Sequence, residues 1–349
     1  MKTTGFACTA ANEPLAPFSF ERREPRPNDV VMEILYCGVC HSDLHMARND
    51  WGGSTYPMVP GHEIVGRVIA VGGEVTKFKA GDAGAIGCIV DSCKHCDQCR
   101  RGEEQFCREG FTVSFASPDK ISGGMTYGGF SRHIVAPEDY ICTVPDGLDL
   151  ARAAPILCAG ITSWVPLKVW KVGPSSRVGV VGMGGLGHLA IKLAAALGAH
   201  VTMISRSAAK EGEARAAGAD RFLLSTDETA MKAAANTLDV ILDTVPVQHD
   251  LDTYTPLLDI DGTLVVLGQM GPFGAVHGAP LMFGRRRIAG TAIGGMRDTQ
   301  EVINFCARKN ILPECAIIRM DQVNEAFDRL AKGSIARRFV VDMASLEGM

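Results

Sequence analysis

The stretch RVGVVGMGGLG at residues 177–187 joins a short apolar run to a turn that contains four glycines. Apolar residues then recur at helical spacing as far as Leu197, so this part of the chain predicts a strand, a tight turn and a helix in succession. A dinucleotide-binding fingerprint requires that context, although glycine-rich turns without a ligand are also common. We predict that a pyrophosphate lies at the N-terminus of this helix, against Gly182, Gly184, Gly185, Leu186 and Gly187.

The residues after the next predicted strand, 200–204, indicate which dinucleotide is bound. At that point an NAD-binding chain offers Asp or Glu to the ribose hydroxyls. Here the chain instead carries Ser205, Arg206 and Ser207, followed by Lys210. Hydroxyl, guanidinium and ammonium groups can bind a 2′-phosphate, which a carboxylate would repel. The sequence therefore favours NADP(H); the alternative is that Arg206 and Lys210 belong to a solvated helix start.

The hydrophobic pattern of the sequence changes near residue 151, and this change predicts two domains. From there to about residue 290, helix-period stretches alternate with short apolar runs, as in a parallel, doubly wound α/β sheet. Residues 1–150 carry short alternating runs interrupted by Gly and Pro, which predicts a β-rich domain with long loops. The last apolar run, at residues 338–342, needs a sheet to join, and we expect it to return to the β-rich domain.

Composition restricts the classes of partner. The formal net charge is −4, and no basic stripe interleaved with aromatic residues is present, which argues against nucleic acid and anionic membranes. The sequence has neither an apolar run of membrane-spanning length nor the apolar core of a signal peptide near Met1. We expect a cytoplasmic protein that acts on a small molecule.

Four of the twelve cysteines, Cys93, Cys96, Cys99 and Cys107, lie close together in a polar, charged segment. A disulfide framework would need an oxidising compartment, to which nothing in the sequence directs the chain. Four thiolates at this spacing can enclose one tetrahedral zinc and leave no position for a substrate. The spacing favours a structural zinc, with an iron–sulfur cluster as the main alternative.

A second set of candidate ligands is scattered along the chain. Cys40, His62 and Cys158 each mean little alone, because single cysteines and histidines are usually packed or exposed. Together, two thiolates and one imidazole would leave the fourth position of a zinc ion open, as catalysis requires. Glu63 directly follows His62 and is a further candidate ligand.

Four segments of the chain resemble the zinc-containing medium-chain alcohol dehydrogenases, and within them the cinnamyl alcohol dehydrogenase branch with its bacterial NADP-dependent aldehyde reductases. The likeness extends from near the N-terminus to RFVVD at residues 338–342. The segments are YCGVCHSDLH (36–45), YPMVPGHE (56–63), YGGFS (127–131) and LCAGIT (157–162).

The resemblance implies a fold and an activity. It implies a GroES-like catalytic domain formed by residues 1–152 and 297–349, with a Rossmann domain inserted at residues 153–296. It also implies a homodimeric, zinc-dependent oxidoreductase that interconverts primary alcohols and aldehydes with NADP(H), mainly by reducing aromatic and aliphatic aldehydes. The chain departs from the family at residues 163–165, where Ser-Trp-Val replaces a small residue, Tyr and Ser.

The resemblance also assigns the catalytic metal site. Cys40, His62 and Cys158 hold the catalytic zinc in the family, and Glu63 is an alternative ligand that exchanges with water. Asp43 would orient the imidazole of His62 from behind, as carboxylates commonly do at zinc sites.

The family further implies a proton path and a cofactor lining. Ser42 stands where a hydroxyl donates to the substrate oxygen, and His45 where a proton shuttle reaches the cofactor ribose. Trp51 and Trp164 are candidates for the wall of the substrate pocket. Further positions that line the cofactor in the family correspond to Thr162, Thr244, Gly268, Thr291, Ala292 and Ile293.

Two rival interpretations remain open from the sequence. One is a zinc-free quinone reductase of the same superfamily, but the retained cysteines and His62 argue against it. The other is a non-catalytic redox sensor that binds zinc and a dinucleotide. Such a sensor would need no open metal position, so Ser42 and His45 favour catalysis.

Overall fold

The computed structural model describes residues 1–333 and 337–347 and divides the chain into two compact units. The split unit comprises residues 1–161 and 293–349, and the inserted unit comprises residues 162–292. The sequence predicts the boundaries after residues 152 and 296, whereas the two compact units divide after residues 161 and 292. The first boundary falls within the helix Ala159–Val169.

The strands are β1 (Lys2–Ala7), β2 (Ala16–Glu21), β3 (Asp29–Gly38), β4 (Ile64–Val71), β5 (Ala83–Ile86), β6 (Ile89–Asp91), β7 (Thr112–Val113), β8 (His133–Pro137), β9 (Cys142–Thr143), β10 (Arg177–Val181), β11 (His200–Ser205), β12 (Arg221–Leu224), β13 (Leu238–Asp243), β14 (Leu258–Val266), β15 (Arg287–Gly290), β16 (Cys315–Arg319) and β17 (Arg338–Asp342). The α-helices are α1 (His41–Arg48), α2 (Asp97–Arg100), α3 (Leu150–Ala153), α4 (Ala159–Val169), α5 (Gly185–Ala196), α6 (Glu211–Ala217), α7 (Glu228–Ala233), α8 (Gly278–Gly284), α9 (Met296–Lys309) and α10 (Val323–Ala331).

The split unit is built around a mixed sheet in which β3 pairs with β4, β8 and β17. Strand β3 is largely buried, and this explains its apolar composition, since its side chains face the core of the unit. Strand β17 comes from the end of the chain, and Val341 pairs with Cys37. The expectation that residues 338–342 join the first sheet is confirmed, and the pairing brings the start of β17 to the end of β3.

The inserted unit contains six parallel strands in the order β12-β11-β10-β13-β14-β15. This is the doubly wound order that the alternation of strands and helices predicts. Its central strands are buried runs of Val, Ile and Leu, as expected for a sheet covered on both faces. The carboxyl ends of β10 and β13 lie side by side, because Val181 pairs with Asp243. Ligand sites in such sheets form at these ends.

In the described part of the chain, no single helix has both the length and the apolar character needed to cross a bilayer. One bent pair, residues 150–157 and 159–169, meets those two criteria together. The twelve cysteines, all of them described, form no disulfide.

Candidate active site

The side chains of Cys40, His62, Glu63 and Cys158 converge in the split unit, and their possible ligand atoms all lie within 4.8 Å of one another. Cys40 directly precedes α1, His62 and Glu63 directly precede β4, and Cys158 directly precedes α4. The Sγ atoms of Cys40 and Cys158 are 3.8 Å apart. A tetrahedral site with Zn–S bonds of about 2.3 Å has an S···S edge of about 3.8 Å, so the spacing of the two thiols fits zinc.

The imidazole of His62 is oriented as a metal ligand. Its Nδ1 lies 2.9 Å from Oδ1 of Asp43, so Nδ1 carries the proton that the carboxylate accepts. Its Nε2 is buried and has no hydrogen-bond partner among the described residues. A buried nitrogen lone pair without a partner is unfavourable, and a metal ion beside the two thiols would satisfy it.

The contact between the two thiols shifts their pKa values in opposite directions and so favours one thiolate beside one protonated thiol. The hydrogen bond from Cys158 lowers the pKa of Cys40 well below its usual range, against the opposing effect of burial. The same contact with Cys40 raises the pKa of Cys158. A bound zinc ion would displace that proton, since it needs both sulfurs as thiolates.

Asp43 connects the two segments that carry the candidate ligands. Its carboxylate is fully buried and accepts hydrogen bonds from the backbone N–H of Cys40 and of Gly61, each at 2.9 Å, besides that from His62. These bonds hold the start of α1 against the segment before β4. Asp43 therefore fixes the positions of Cys40 and His62 together.

Arg338, the first residue of β17, is a site residue that sequence reasoning missed. It is buried, and its guanidinium Nη2 donates to Oε1 of the fully buried Glu63. Burial disfavours the charged guanidinium, but the Glu63 carboxylate together with the sulfurs of Cys40 and Cys158 outweighs burial and raises the pKa of Arg338. Gly38 is required beside this pair, because a Cβ there would lie 1.9 Å from the second carboxylate oxygen. The ion pair holds Glu63 beside the other three candidate ligands.

Ser42 and His45 are half-buried and lie one turn apart on α1. The Oγ atom of Ser42 is 3.8 Å from the Sγ of Cys40. The Nδ1 atom of His45 is 2.8 Å from Oδ2 of Asp50, and its ring centroid is 5.0 Å from that of Trp51. Trp51 is exposed, whereas Trp164 is buried.

Cys93, Cys96, Cys99 and Cys107 form a second four-ligand cluster in the loop between β6 and β7. The Sγ of Cys99 lies 3.8 Å from that of Cys93 and 3.5 Å from that of Cys96, which again suits a tetrahedron. Backbone N–H groups of Arg108 and Cys99, each 3.5 Å from the Cys96 sulfur, lower the pKa of that thiol to about 6. The backbone of the loop thus stabilises a thiolate.

The glycine turn of the inserted unit has the shape that a pyrophosphate needs. Gly182 has φ +92°, in the left-handed region that favours glycine. A Cβ on Gly187 would lie 1.9 Å from the carbonyl oxygen of Gly182, so only glycine allows α5 to begin so close to the strand. A Cβ on Gly184 would meet nothing within 4 Å, which leaves open space at the helix N-terminus. Gly185 and Leu186 are the first two residues of α5, whose N–H groups suit an anion.

The candidate 2′-phosphate ligands follow β11. Ser205 ends the strand, and its Oγ accepts a hydrogen bond of 3.2 Å from the backbone N–H of Ser207. Arg206 is exposed, and Lys210 is half-buried with its Nζ 3.0 Å from Oε2 of Glu213. The four residues therefore occupy one turn and the start of the following helix.

The other cofactor candidates lie in several places. Thr244 donates from Oγ1 to the Val181 carbonyl at 2.8 Å, and a Cβ on Gly268 would lie 2.5 Å from the Thr244 carbonyl carbon. Thr162 is buried in α4. Thr291 and Ala292 end the inserted unit, and Ile293, which begins the second part of the split unit, has φ +43°, a strained value for a β-branched residue.

Comparison with known families gives two matches that together cover most of the chain. Residues 26–146 match the alcohol dehydrogenase GroES-like domain, and residues 185–308 match the zinc-binding dehydrogenase domain. Both parts of the predicted fold class, the GroES-like domain and the Rossmann domain, are confirmed.

Several relatives match along nearly their whole length. Aldehyde reductase YahK of Escherichia coli is 47% identical over 99% of this chain and 99% of its own. NADP-dependent alcohol dehydrogenase C of Mycobacterium bovis is 44% identical over 98% of each chain.

Two solved structures also match over nearly the whole chain. A cinnamyl alcohol dehydrogenase from Sorghum bicolor has a TM-score of 0.95 and 41% identity over 99% of this chain and 98% of its own. The enzyme CAD from Helicobacter pylori, complexed with NADP(H), has a TM-score of 0.93 and 37% identity over 99% of each. The predicted resemblance is confirmed: the chain belongs to the family of zinc-binding alcohol dehydrogenases that contain a GroES-like domain.

Proposed function

We propose that the protein is a zinc-dependent oxidoreductase that interconverts primary alcohols and aldehydes with NADP(H), acting mainly as a reductase of aromatic and aliphatic aldehydes. The observation that carries this proposal is the buried, unpartnered Nε2 of His62 beside the thiols of Cys40 and Cys158. Three such ligands leave a fourth position for a substrate oxygen. The names of the relatives, an aldehyde reductase and an NADP-dependent alcohol dehydrogenase, support the same reaction.

The side chains on α1 and around it have different roles in the proposed reaction. Zinc held by Cys40, His62 and Cys158 supplies a Lewis acid when bound, and the nicotinamide supplies the hydride. Ser42 donates a hydrogen bond to the substrate oxygen, and His45, held by Asp50, replaces the proton that Ser42 gives up. Arg338 neutralises Glu63 and keeps its carboxylate available as an alternative ligand.

The four-cysteine cluster has a different role. Its four sulfurs complete a tetrahedral shell, so a zinc ion there has no open position and serves the fold of the loop. We therefore expect two zinc ions per chain.

The alternative expected from the sequence, a non-catalytic redox sensor, is not supported by the relatives, which are named as enzymes. A sensor would need no open ligand position, no hydroxyl beside the thiols and no histidine one turn away. The reductase and dehydrogenase names of the relatives also favour the enzyme.

A simple assay tests the proposal. The absorbance of NADPH should fall when an aromatic or aliphatic aldehyde is added to the zinc-loaded protein, and one alcohol should form for each NADPH consumed. A panel of aldehydes with both cofactors then gives the substrate range. A protein that binds NADPH but leaves it unconsumed with every aldehyde would favour the sensor.

Replacing Ser205 with Asp should shift cofactor preference toward NADH. The new carboxylate would repel the 2′-phosphate of NADPH and offer NADH an acceptor for its ribose hydroxyls. Because a charge-assisted hydrogen bond contributes about 1.5 to 3 kcal/mol, the preference should change roughly 10- to 150-fold. The measurement is kcat/KM for both cofactors.

Thr226→Asp is the matched control, because it adds the same charge to an exposed position just after the neighbouring strand β12. It should leave the preference unchanged. A wild-type protein that already prefers NADH would refute the assignment of NADP(H).

We propose a homodimer in which a second copy covers the edge of the parallel sheet at β15. Within the described chain, β15 pairs with β14 alone, so its other edge is free. The nearby helix α8 exposes Met282 and Phe283, with relative exposures of 76% and 90%. Unpaired strand edges and large exposed apolar side chains are typical of subunit interfaces. Light scattering should give twice the mass of one chain, and Phe283→Glu should reduce it.

We also place the protein in the cytoplasm. Twelve unpaired cysteines, six of them in the two candidate zinc sites, suit a reducing compartment.

A further inference from the structure

Asp243 and His249 form a buried pair at the carboxyl end of β13, outside the residues already assigned to the reaction. Asp243 is fully buried, and its Oδ2 lies 2.9 Å from Nε2 of His249, off the axis of a straight hydrogen bond. Neither atom has another partner among the described residues. The His249 side chain is only 15% exposed and packs edge-on against Tyr254 and Phe273.

The hydrogen-bonding partners of His249 favour a proton between these two atoms. The Nδ1 atom of His249 is 2.8 Å from the carbonyl oxygen of Val247, which can only accept, so Nδ1 carries a hydrogen. In a neutral imidazole, Nε2 would then be a bare acceptor facing a carboxylate that also only accepts. A proton shared by the pair removes this conflict, either as an imidazolium beside a carboxylate or as a neutral pair. Burial raises the pKa of the Asp243 carboxyl, against the opposing effect of His249.

The pair closes a loop that forms part of the proposed cofactor site. Asp243 and His249 bracket residues 244–248, and Oδ1 of Asp243 also accepts from the backbone N–H of Val245 at 3.2 Å. The side chain of Val245 packs over Gly182, where a Cβ would lie 3.3 Å from Val245 Cγ2. The carbonyl oxygen of Val245 would lie 2.7 Å from a Cβ on Gly268. The first residues of the loop therefore touch two of the glycines assigned to the cofactor.

We propose that Asp243 and His249 are positioning residues whose shared proton holds the 244–248 loop in its cofactor-binding conformation, so that dinucleotide affinity falls at high pH. The inference rests on the proposed cofactor site of the inserted unit. Loss of the proton leaves a buried carboxylate facing a neutral nitrogen, and the two separate. Dinucleotide then binds only the fraction of molecules in which the loop is still closed.

Other charged groups face the pair and are part of the test. Tyr254 packs on His249 and interacts with Asp243, while Arg206 and Asp250 act on Tyr254. Burial raises the pKa of Tyr254, which keeps its hydroxyl neutral in the range of interest.

The experiment measures dinucleotide dissociation constants by calorimetry at about pH 7 and about pH 9.5, below the usual range of lysine and tyrosine. Wild-type protein should bind NADPH roughly tenfold more weakly at the higher pH. His249→Gln keeps an N–H donor toward Asp243 at every pH, so its affinity should be independent of pH and close to that of the wild type at pH 7. His249→Leu, which has no donor, should bind weakly at both values.

Two controls isolate the effect. His277→Gln alters an exposed histidine of the same unit that also pairs with an aspartate, Asp252, at 2.5 Å, and it should keep the wild-type pH dependence. NADH should show the same pH dependence as NADPH, because the 2′-phosphate is fully ionised at both pH values.

The outcomes separate this inference from the proposed function. Equal pH dependence in wild type and His249→Gln, or tight binding by wild type at both pH values, would overturn the role of the pair and leave the cofactor site standing. A wild-type protein that binds neither dinucleotide at pH 7 would overturn the cofactor site itself. If His249→Leu fails to fold, the comparison of wild type with His249→Gln still decides the question.

Discussion

Replacing Cys158 with serine should lower the aldehyde reductase activity at least ~10³-fold while leaving the fold intact. A serine hydroxyl is a poor zinc ligand beside the thiolate that it replaces, so the open site would lose its metal. The loss of a Lewis acid is worth several kcal/mol at the transition state, and each 1.36 kcal/mol is tenfold in rate. The segments that carry Cys40 and His62 do not depend on this thiol, because Asp43 holds them together.

Cys96→Ser is the matched variant at the other four-ligand cluster, and it should behave in the opposite way. The loop that carries Cys96 lies between the short strands β6 and β7, so the metal is the main constraint on it. Loss of that zinc should destabilise the split unit by at least about 2 kcal/mol, a shift of roughly 4 to 8 °C in Tm.

Zinc content, Tm and kcat/KM are measured together for both variants. Each should lose one of the two zinc ions, but only Cys96→Ser should lose Tm and only Cys158→Ser should lose activity in the protein that remains folded. Cys315→Ser, at a half-buried thiol outside both clusters, should retain both zinc ions. Equal losses of Tm in Cys96→Ser and Cys158→Ser would contradict the division into a structural and a catalytic site.

His45→Ala should lower kcat by roughly 10²- to 10⁴-fold, the usual contribution of a positioned acid or base, with zinc content unchanged. The expected reason is that His45, held by Asp50, relays the proton to Ser42. If water molecules also carry the proton to Ser42, the decrease in kcat should lie at the lower end of that range. Added imidazole should restore part of the rate, which a purely structural role of His45 would not allow.

His277→Ala is the control, because it also removes a histidine that pairs with an aspartate. His277 pairs with Asp252 in the inserted unit, away from the residues assigned to the reaction. Its kcat should match that of the wild type. A wild-type kcat in His45→Ala would end the assignment of His45 as the proton shuttle.

Much of this account follows from patterns that are local in the sequence. The glycine turn at residues 182–187 requires a strand before it and a helix after it, and that constraint alone identifies the inserted unit. The four cysteines between residues 93 and 107 likewise lie within reach of one metal ion whatever the rest of the fold. In both cases a few adjacent residues define the geometry.

The parts that sequence reasoning missed depend on distant pairing. Arg338 meets Glu63 across 275 positions, through the pairing of β17 with β3. An arginine at the start of an apolar strand gives no sign of its buried partner. Asp243 and His249 are close in the chain, but only the turn of residues 244–248 brings Nε2 to the carboxylate. The residue types at positions 243 and 249 do not predict that the two side chains meet.

Direct transfer of hydride is the central claim, and isotopic labelling tests it most directly. The zinc-loaded protein is given an aromatic aldehyde and NADPH that carries deuterium at both positions of nicotinamide C4, and the alcohol is analysed by mass spectrometry. The account predicts that each alcohol molecule gains one deuterium on the carbon that bore the aldehyde oxygen. Alcohol without deuterium on that carbon, or no alcohol at all from protein that holds both zinc ions and binds NADPH, would contradict it.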